Sequence, residues 1–491
     1  MAENEQNRAG GAASAVSPPG PLDKFLNIFT DVRGGEGLSA LFLFVNVFLL
    51  LSSYYLLKTI REPLVLAAQA GGAEVKSYAS AAIAVLLLAL VPAYGAIASR
   101  VSRVKLINGV TLFFIACLVG FFFWSRAVGI PGMAVEGAPA VPPGAGQLAL
   151  GVSFFIWVGI FNLMIVAQFW AFANDVYSVE QGKRLFALVA LGASLGAIAG
   201  SVAAKGLIVA YGLYPLMGLA AAILGLCMVL TNLVHVRERS KIAAGKERAA
   251  APDEPTKADA DAPITGRSGF ALVMTDRYLL LIACMMLLLN LVNTTGEYIL
   301  GETLTNIAKG MVAHGQLADA DIGKWIGSFY GTYFTWVNVI SALLQAFVVS
   351  RAIKWLGVAG ALLVLPLVAL GAYATLAFLP LLPIIRGAKI AENSLDYSLN
   401  NTARQTLFLP TSREAKYKAK QAVDTFFVRF GDVASAGLVF AGTTWLAFTP
   451  RHFAMVNAGL VLLWLGIAFA LGRAFKVKSG ETRAAEGSPA R

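Results

Sequence analysis

Long apolar runs separated by short polar stretches make up most of this chain. A helix needs about 20 predominantly apolar residues to cross the hydrocarbon core of a bilayer, and these runs reach that length. We predict twelve transmembrane helices, which begin near Leu38, Ser77, Val104, Leu148, Leu185, Leu213, Tyr278, Ile322, Leu356, Leu381, Ala422 and Phe453. The pattern therefore predicts an all-α polytopic membrane protein.

One polar stretch precedes the apolar runs, and a second divides them into two groups of six. Residues 1–36 lack the apolar core of a cleavable signal, and we expect them to form a disordered cytoplasmic tail. Residues 237–277 contain AAAPDEPTKADADAP and are predicted to be a cytoplasmic linker. The predicted domains are two six-helix bundles, 37–236 and 278–475, followed by a cytoplasmic tail at 476–491.

The composition agrees with a membrane protein: 57% of the residues are hydrophobic, 14% are charged, and the mean hydropathy is +0.69. Lysine and arginine gather after every even-numbered predicted helix, whereas the opposite loops carry almost none. The positive-inside rule then places both termini in the cytoplasm. Topology accounts for the net charge of +11, so we predict no nucleic-acid partner.

The two halves have related loops. YGAIASRVSRVK (Tyr94–Lys105) follows the second predicted helix, and SRAIKWLG (Ser350–Gly357) follows the eighth, six helices later. This recurrence resembles the loop signature of the major facilitator fold, which is built from two six-helix repeats.

Polar residues concentrate in the first, fourth, seventh and tenth helices, which occupy equivalent places in the two halves. An ionisable group at membrane depth costs about 2.5–3.5 kcal/mol on insertion scales, so it persists where it faces a cavity, a partner or a substrate. The predicted substrate-binding residues are Lys58, Arg61, Asn174, Asn290, Glu297, Arg386, Lys389, Asn393, Asp396 and Asn400. The cationic members favour an anionic substrate that carries phosphate or carboxylate. Internal ion pairing with Glu62, Glu392 and Asp396 is the alternative interpretation.

The tenth helix has the densest polar pattern. If residues 381–408 form one helix, six polar side chains share an arc of roughly 80°. They are Arg386, Lys389, Asn393, Asp396, Asn400 and Arg404. We predict a polar stripe on one face, with Asp396 screening a cation of that face when no substrate is bound.

Other residue types add no catalytic site. The three cysteines lie in apolar runs without metal-ligand spacing, and the three histidines fall at predicted helix ends or loops, so we predict no metal and no cofactor. In LGASLGAIAG (Leu191–Gly200) a glycine recurs every four residues, which favours close helix packing over phosphate binding.

Four segments carry a resemblance that spans nearly all twelve helices. They are LLKTIREPLVL (Leu56–Leu66), FWAFANDVYSVEQGKRLFAL (Phe169–Leu188), NLVNTTGEYIL (Asn290–Leu300) and the long segment Asp396–Asp432. They resemble the nucleotide transporter family, the ATP:ADP antiporters of plastids and obligate intracellular bacteria. The resemblance implies a carrier, not an enzyme, that exchanges ATP, ADP and phosphate across a bacterial inner membrane without hydrolysis. The sequence has no GxxxxGK[ST] loop.

The chain departs from that family at three places. Arg61 of the first helix stands where the energy-exchanging members often have lysine. Asn293 stands where an acidic residue commonly follows Asn-Leu-Val, and Asp396 stands where the ATP/ADP exchangers commonly have a basic residue before Tyr-Ser-Leu. Selectivity for ATP and ADP is therefore an open point. Two alternatives are a proton-coupled facilitator for another anionic solute, with Glu297 or Asp396 carrying the proton, and a non-transporting membrane scaffold or sensor.

Overall fold

A computed structural model describes residues 21–26, 32, 36–68, 71–98, 100–129, 145–177, 179–246, 268–412 and 414–486. Most of the predicted N-terminal tail and residues 247–267 of the predicted linker lie outside these ranges. Within them the regular structure is helical throughout, and no strand occurs. The predicted all-α membrane protein is confirmed.

Six long helices form the first half of the chain. They are α1 (Gly37–Leu66), α2 (Ala73–Ala98), α3 (Arg103–Val128), α4 (Ala145–Val176), α5 (Val179–Tyr211) and α6 (Tyr214–Lys246). The second half contains α7 (Arg277–Ala313), α8 (Ile322–Leu343), α9 (Val349–Phe378), α10 (Leu382–Leu395), α11 (Val428–Thr444) and α12 (Pro450–Glu486). Short helices at Pro21–Leu26 and Gly269–Thr275 precede the two halves.

Ten helical stretches of the described residues are long and apolar enough to cross a membrane. One of them, Asp319–Phe378, is 60 residues long and contains both α8 and α9. Gly357 interrupts it with a φ of 68° and a ψ of 174°, values that glycine adopts without steric cost, close to the predicted start of the ninth helix. The polar helix α10 is not among the ten, so the count of twelve spans stays a prediction.

The first half is built around α1, which packs against α4, α5 and α6. Gly192, Gly196 and Gly200 make this packing close, because a Cβ atom on them would lie 2.7, 2.2 and 2.4 Å from backbone oxygens of α1. The predicted role of this glycine series in helix packing is therefore confirmed.

The second half is built around α7, which packs against α11 and α12, while α9 also packs against α12. The two halves meet where α5 and α1 contact α8, and where α2 contacts α11 and α7. Asn338 of α8 donates a hydrogen bond to Ser201 Oγ of α5 across this interface (3.1 Å). We call the two halves the N bundle and the C bundle.

Helix α10 does not continue regularly to residue 408. A π-helical turn at Asp396–Asn400 follows it, and a short helix at Asn401–Thr406 comes next. A π turn holds one extra residue, so it rotates the side chains that come after it relative to those before it. The polar stripe predicted on one regular helix is therefore divided at Asp396.

Candidate functional site

Six charged side chains form a continuous chain between the two bundles. In order of contact they are Arg61, Glu62, Lys76, Glu297, Lys389 and Glu392. We call this group the ion-pair chain. It contains three cations and three carboxylates, so it is formally neutral.

The N-bundle part of the ion-pair chain is centred on Glu62, which is 1% exposed. Its Oε1 accepts from Arg61 Nε at 3.1 Å, and its Oε2 lies 2.7 Å from Lys76 Nζ. The Arg61 guanidinium also lies over the ring of Phe155 at 4.4 Å. One buried carboxylate thus bridges a cation of α1 and a cation of α2.

Lys76 carries the ion-pair chain across the bundle interface. Its Nζ lies 3.7 Å from Glu297 Oε2 of α7, and it donates to Tyr330 Oη of α8 at 3.4 Å. Lys76 is 6% exposed, so water screens these contacts little. One ammonium group therefore holds the two bundles together at this point.

Glu297 and Lys389 continue the ion-pair chain inside the C bundle. Glu297 Oε1 accepts from Tyr333 Oη at 2.9 Å and from Asn393 Nδ2 at 3.1 Å, and it lies 3.8 Å from Lys389 Nζ. Lys389 is 1% exposed and donates to Asn293 Oδ1 at 2.7 Å. Every polar side chain here has a specific partner.

Glu392 ends the ion-pair chain. Its Oε2 accepts from Lys389 Nζ and from Tyr373 Oη, both at 3.0 Å. Gly296 leaves room for this arrangement, because a Cβ atom there would lie 2.1 Å from Tyr373 Oη and 3.0 Å from Lys389 Nζ. Asp396, which we expected to screen a cation of this face, accepts from Asn400 Nδ2 at 2.8 Å, and its carboxylate interacts electrostatically with Arg404 and Lys389.

Lys58 lies between the bundles in different surroundings. It is 8% exposed, and no ion pair or hydrogen bond to its ammonium occurs among the described residues. Aromatic rings surround its Nζ, with centroids at 4.3 Å for Phe334, 5.2 Å for Tyr55, and 5.9 Å for both Tyr54 and Tyr397. We call these four rings the aromatic cage.

The remaining predicted binding residues lie apart from this centre. Asn290 donates to Asp432 Oδ1 at 2.8 Å and to the carbonyl of Val428 at 2.7 Å, which joins α7 to α11. Arg386 is exposed near the start of α10, 6.0 Å from the Phe329 ring, and Asn174 is exposed near the end of α4. The structure brings together Lys58, Arg61, Glu297, Lys389 and Asn393; a role of any predicted residue in binding stays a prediction.

Sequence reasoning missed Lys76 and the tyrosines that support the carboxylates. Lys76 lies just before the predicted start of the second helix near Ser77, outside the predicted transmembrane segment. Two signals mark it: it stands on the side where lysine and arginine are almost absent, and it lies in the first turns of α2, where the helix dipole disfavours a cation. Tyr333 and Tyr373 carry no such signal.

Comparison with known proteins gives consistent results. Residues 152–475 match the family model described as TLC ATP/ADP transporter. The chain is 23% identical to ADP,ATP carrier protein 1 of Chlamydia pneumoniae, over 94% of this chain and 95% of that protein. It is 24% identical to ADP,ATP carrier protein 2 of Chlamydia trachomatis serovar D, over 93% and 92%.

Solved structures share the fold. A bacterial homologue of the human lysosomal transporter Spinster superposes with a TM-score of 0.55 at 11% identity, over 90% of this chain and 98% of that one. The nucleoside transporter NupG gives 0.55 at 12% identity, over the same shares of the two chains. At these identities the likeness concerns the fold alone, and it confirms the predicted major-facilitator-like architecture.

Proposed function

We infer that this chain, which belongs to the TLC ATP/ADP transporter family, is a membrane carrier that exchanges nucleotides of the ATP and ADP type by alternating access. Full-length similarity to ADP,ATP carrier proteins supports this function. The carrier moves its substrate without hydrolysing it, in keeping with a sequence that has no phosphate-binding GxxxxGK[ST] loop.

The observation that carries this proposal is the group of buried charges between the two bundles. All six charged residues of the ion-pair chain and Lys58 are at most a quarter exposed, and they come from both bundles. Such groups are expensive at membrane depth and are typical of substrate pathways. Their position at the bundle interface is where carriers of this fold bind substrate.

The ion-pair chain gives a physical reason for exchange. Rocking of the bundles has to separate Lys76 from Glu297, which lie 3.7 Å apart, and this separation exposes two buried charges. A substrate that binds the rocking intermediate more tightly than the resting state lowers that cost, whereas the empty carrier has no compensation. Transport then requires substrate on both sides.

Vesicle transport tests this function directly. The purified protein is placed in vesicles that are either empty or preloaded with ADP, and uptake of labelled ADP or ATP is followed. We expect rapid uptake only into preloaded vesicles. Uptake into empty vesicles that depends on a proton gradient would favour the proton-coupled alternative, and no uptake under either condition would favour the scaffold.

We further propose that the carrier lies in the bacterial inner membrane with both termini in the cytoplasm and that phosphate accompanies nucleotide as a substrate. The distribution of lysine and arginine supports this orientation. A cysteine at position 258, in the predicted linker, should react with a membrane-impermeant thiol reagent only after cells are opened. Labelling of intact cells would overturn the orientation.

A further inference from the structure

Among the buried cations at the bundle interface, Lys58 differs in its partners. Arg61, Lys76 and Lys389 each contact a carboxylate at 3.1 Å or less. Within the part of the chain that the structure describes, Lys58 contacts no carboxylate, and aromatic rings take the place of one. The ion-pair chain is neutral by itself, so it does not balance the positive charge of Lys58.

A buried ammonium without hydrogen bonds is costly. It carries three donors, and cation–π contacts offer only electrostatic attraction to ring faces without accepting in the lone-pair direction. Lys58 is more than nine-tenths buried, so water cannot serve all three donors in this state. An oxyanion at this site would accept hydrogen bonds from the Lys58 ammonium, which the aromatic rings do not.

The cage is open on one side. Tyr397 keeps 42% of its surface exposed although its ring is 5.9 Å from Lys58 Nζ, whereas Phe334 and Tyr55 are buried. Tyr54 and Tyr55 belong to the N bundle, and Phe334 and Tyr397 belong to the C bundle. An anion that enters past Tyr397 meets the ammonium at a point where both bundles contribute walls.

We propose that Lys58 is the residue that binds the phosphate of the substrate, and that phosphate oxygens replace the ring contacts of its ammonium on binding. The proposal rests on the proposed nucleotide function and assigns the phosphate contact to one residue. Arg61 and Lys389 have a different task, since they neutralise Glu62 and Glu392. A phosphate bound at Lys58 contacts residues of both bundles, so its binding changes the relative free energies of the two bundle arrangements.

The test compares ligands that differ only in the number of their phosphate groups. Binding of adenosine, AMP and ADP to the purified full-length protein is measured by calorimetry for the wild type, Lys58→Gln and Lys58→Arg. Lys58→Gln should lower the affinity for ADP about 10- to 100-fold, the range of one charge-assisted hydrogen bond, and leave the affinity for adenosine unchanged. Lys58→Arg, which retains the charge, should recover part of the ADP affinity.

Lys324→Gln is the matched control, because Lys324 is 40% exposed, pairs with Asp321, and lies ten residues before the cage residue Phe334, about 15 Å along α8. It should leave all three affinities unchanged. An equal loss for ADP and adenosine in Lys58→Gln, or no loss for either, would overturn the assignment. Thermal unfolding without ligand establishes that each variant is folded.

Failure of this proposal is distinguishable from failure of the proposed function. If wild-type vesicles exchange ADP while Lys58→Gln binds ADP normally, the carrier function stands and the assignment to Lys58 falls. If the wild type shows neither exchange nor nucleotide binding, the carrier function itself is wrong.

Discussion

Lys58 and Lys76 are both buried lysines close to the bundle interface, yet their surroundings differ in kind. Lys76 has a carboxylate at 2.7 Å and a second one at 3.7 Å, whereas Lys58 has four aromatic rings and no carboxylate. A buried cation with carboxylate partners is satisfied within the protein, while a buried cation without them awaits an anion. The contacts of a buried lysine, and not its burial alone, therefore distinguish a cation that stabilises the protein from one that can bind a substrate.

Removal of the charge of Lys76 should have the largest effect. Lys76→Gln leaves Glu62 and Glu297 without their shared cation, and breaking a buried pair costs about 3–5 kcal/mol. We expect a clear fall in the unfolding temperature of the purified protein in detergent. The double variant Lys76→Gln, Glu297→Gln should recover part of the loss, and a double variant less stable than Lys76→Gln alone would contradict the pairing.

A methyl group at Gly296 should have the next largest effect. Gly296→Ala places a Cβ atom 2.1 Å from Tyr373 Oη, so the hydrogen bond to Glu392 has to break or shift, at about 1–3 kcal/mol. Gly371→Ala on α9 is the control, because no atom lies within 4 Å of its added Cβ. The free energy of unfolding should fall only for Gly296→Ala.

Asn290 should behave as a structural residue in spite of its place in the predicted binding set. Asn290→Ala removes two hydrogen bonds between α7 and α11, a loss of about 1–2 kcal/mol in stability. Its side chain contacts neither the cage nor the ion-pair chain, so ADP affinity should not change. A loss of ADP affinity without a loss of stability would show that Asn290 contributes to substrate binding.

The smallest effect is expected at Asp396. Asp396→Asn keeps the shape of the side chain and its position in the π turn, and it removes one negative charge from the residue next to Tyr397. Removal of this charge weakens the repulsion between the protein and an anionic substrate, so it should raise ADP affinity by about threefold. Calorimetric titration with ADP measures the change, and weaker binding would show that the carboxylate is needed.

The sequence predicted the helical fold well, because apolar length and the distribution of lysine and arginine are local properties of the chain. It also marked Lys58, Glu297 and Lys389, since charges at membrane depth stand out in any apolar run, and their role in substrate binding stays a prediction.

Part of the pairing was predicted, because the expected carboxylates Glu62 and Glu392 pair with Arg61 and Lys389. The contacts between helices could not be predicted in the same way: Glu297 reaches Lys389 from α7, and Tyr373 joins Glu392 from a helix that the motifs do not mark. Asp396 interacts electrostatically with Arg404 and Lys389, but its hydrogen bond goes to Asn400 within a π turn that regular helical spacing does not reveal. Lys76 was missed because its role exists only once the bundles meet.

Two measurements on Lys58→Gln and Lys76→Gln separate the two kinds of buried charge most directly: the unfolding temperature without ligand and the affinity for ADP. We expect a crossed result. Lys58→Gln should lose about 10- to 100-fold in ADP affinity with an unchanged or higher unfolding temperature, because an unpaired buried charge has been removed. Lys76→Gln should lose stability and bind ADP within a few-fold of the wild type. Parallel losses of stability and affinity in both variants would contradict the division between structural and substrate-binding charge.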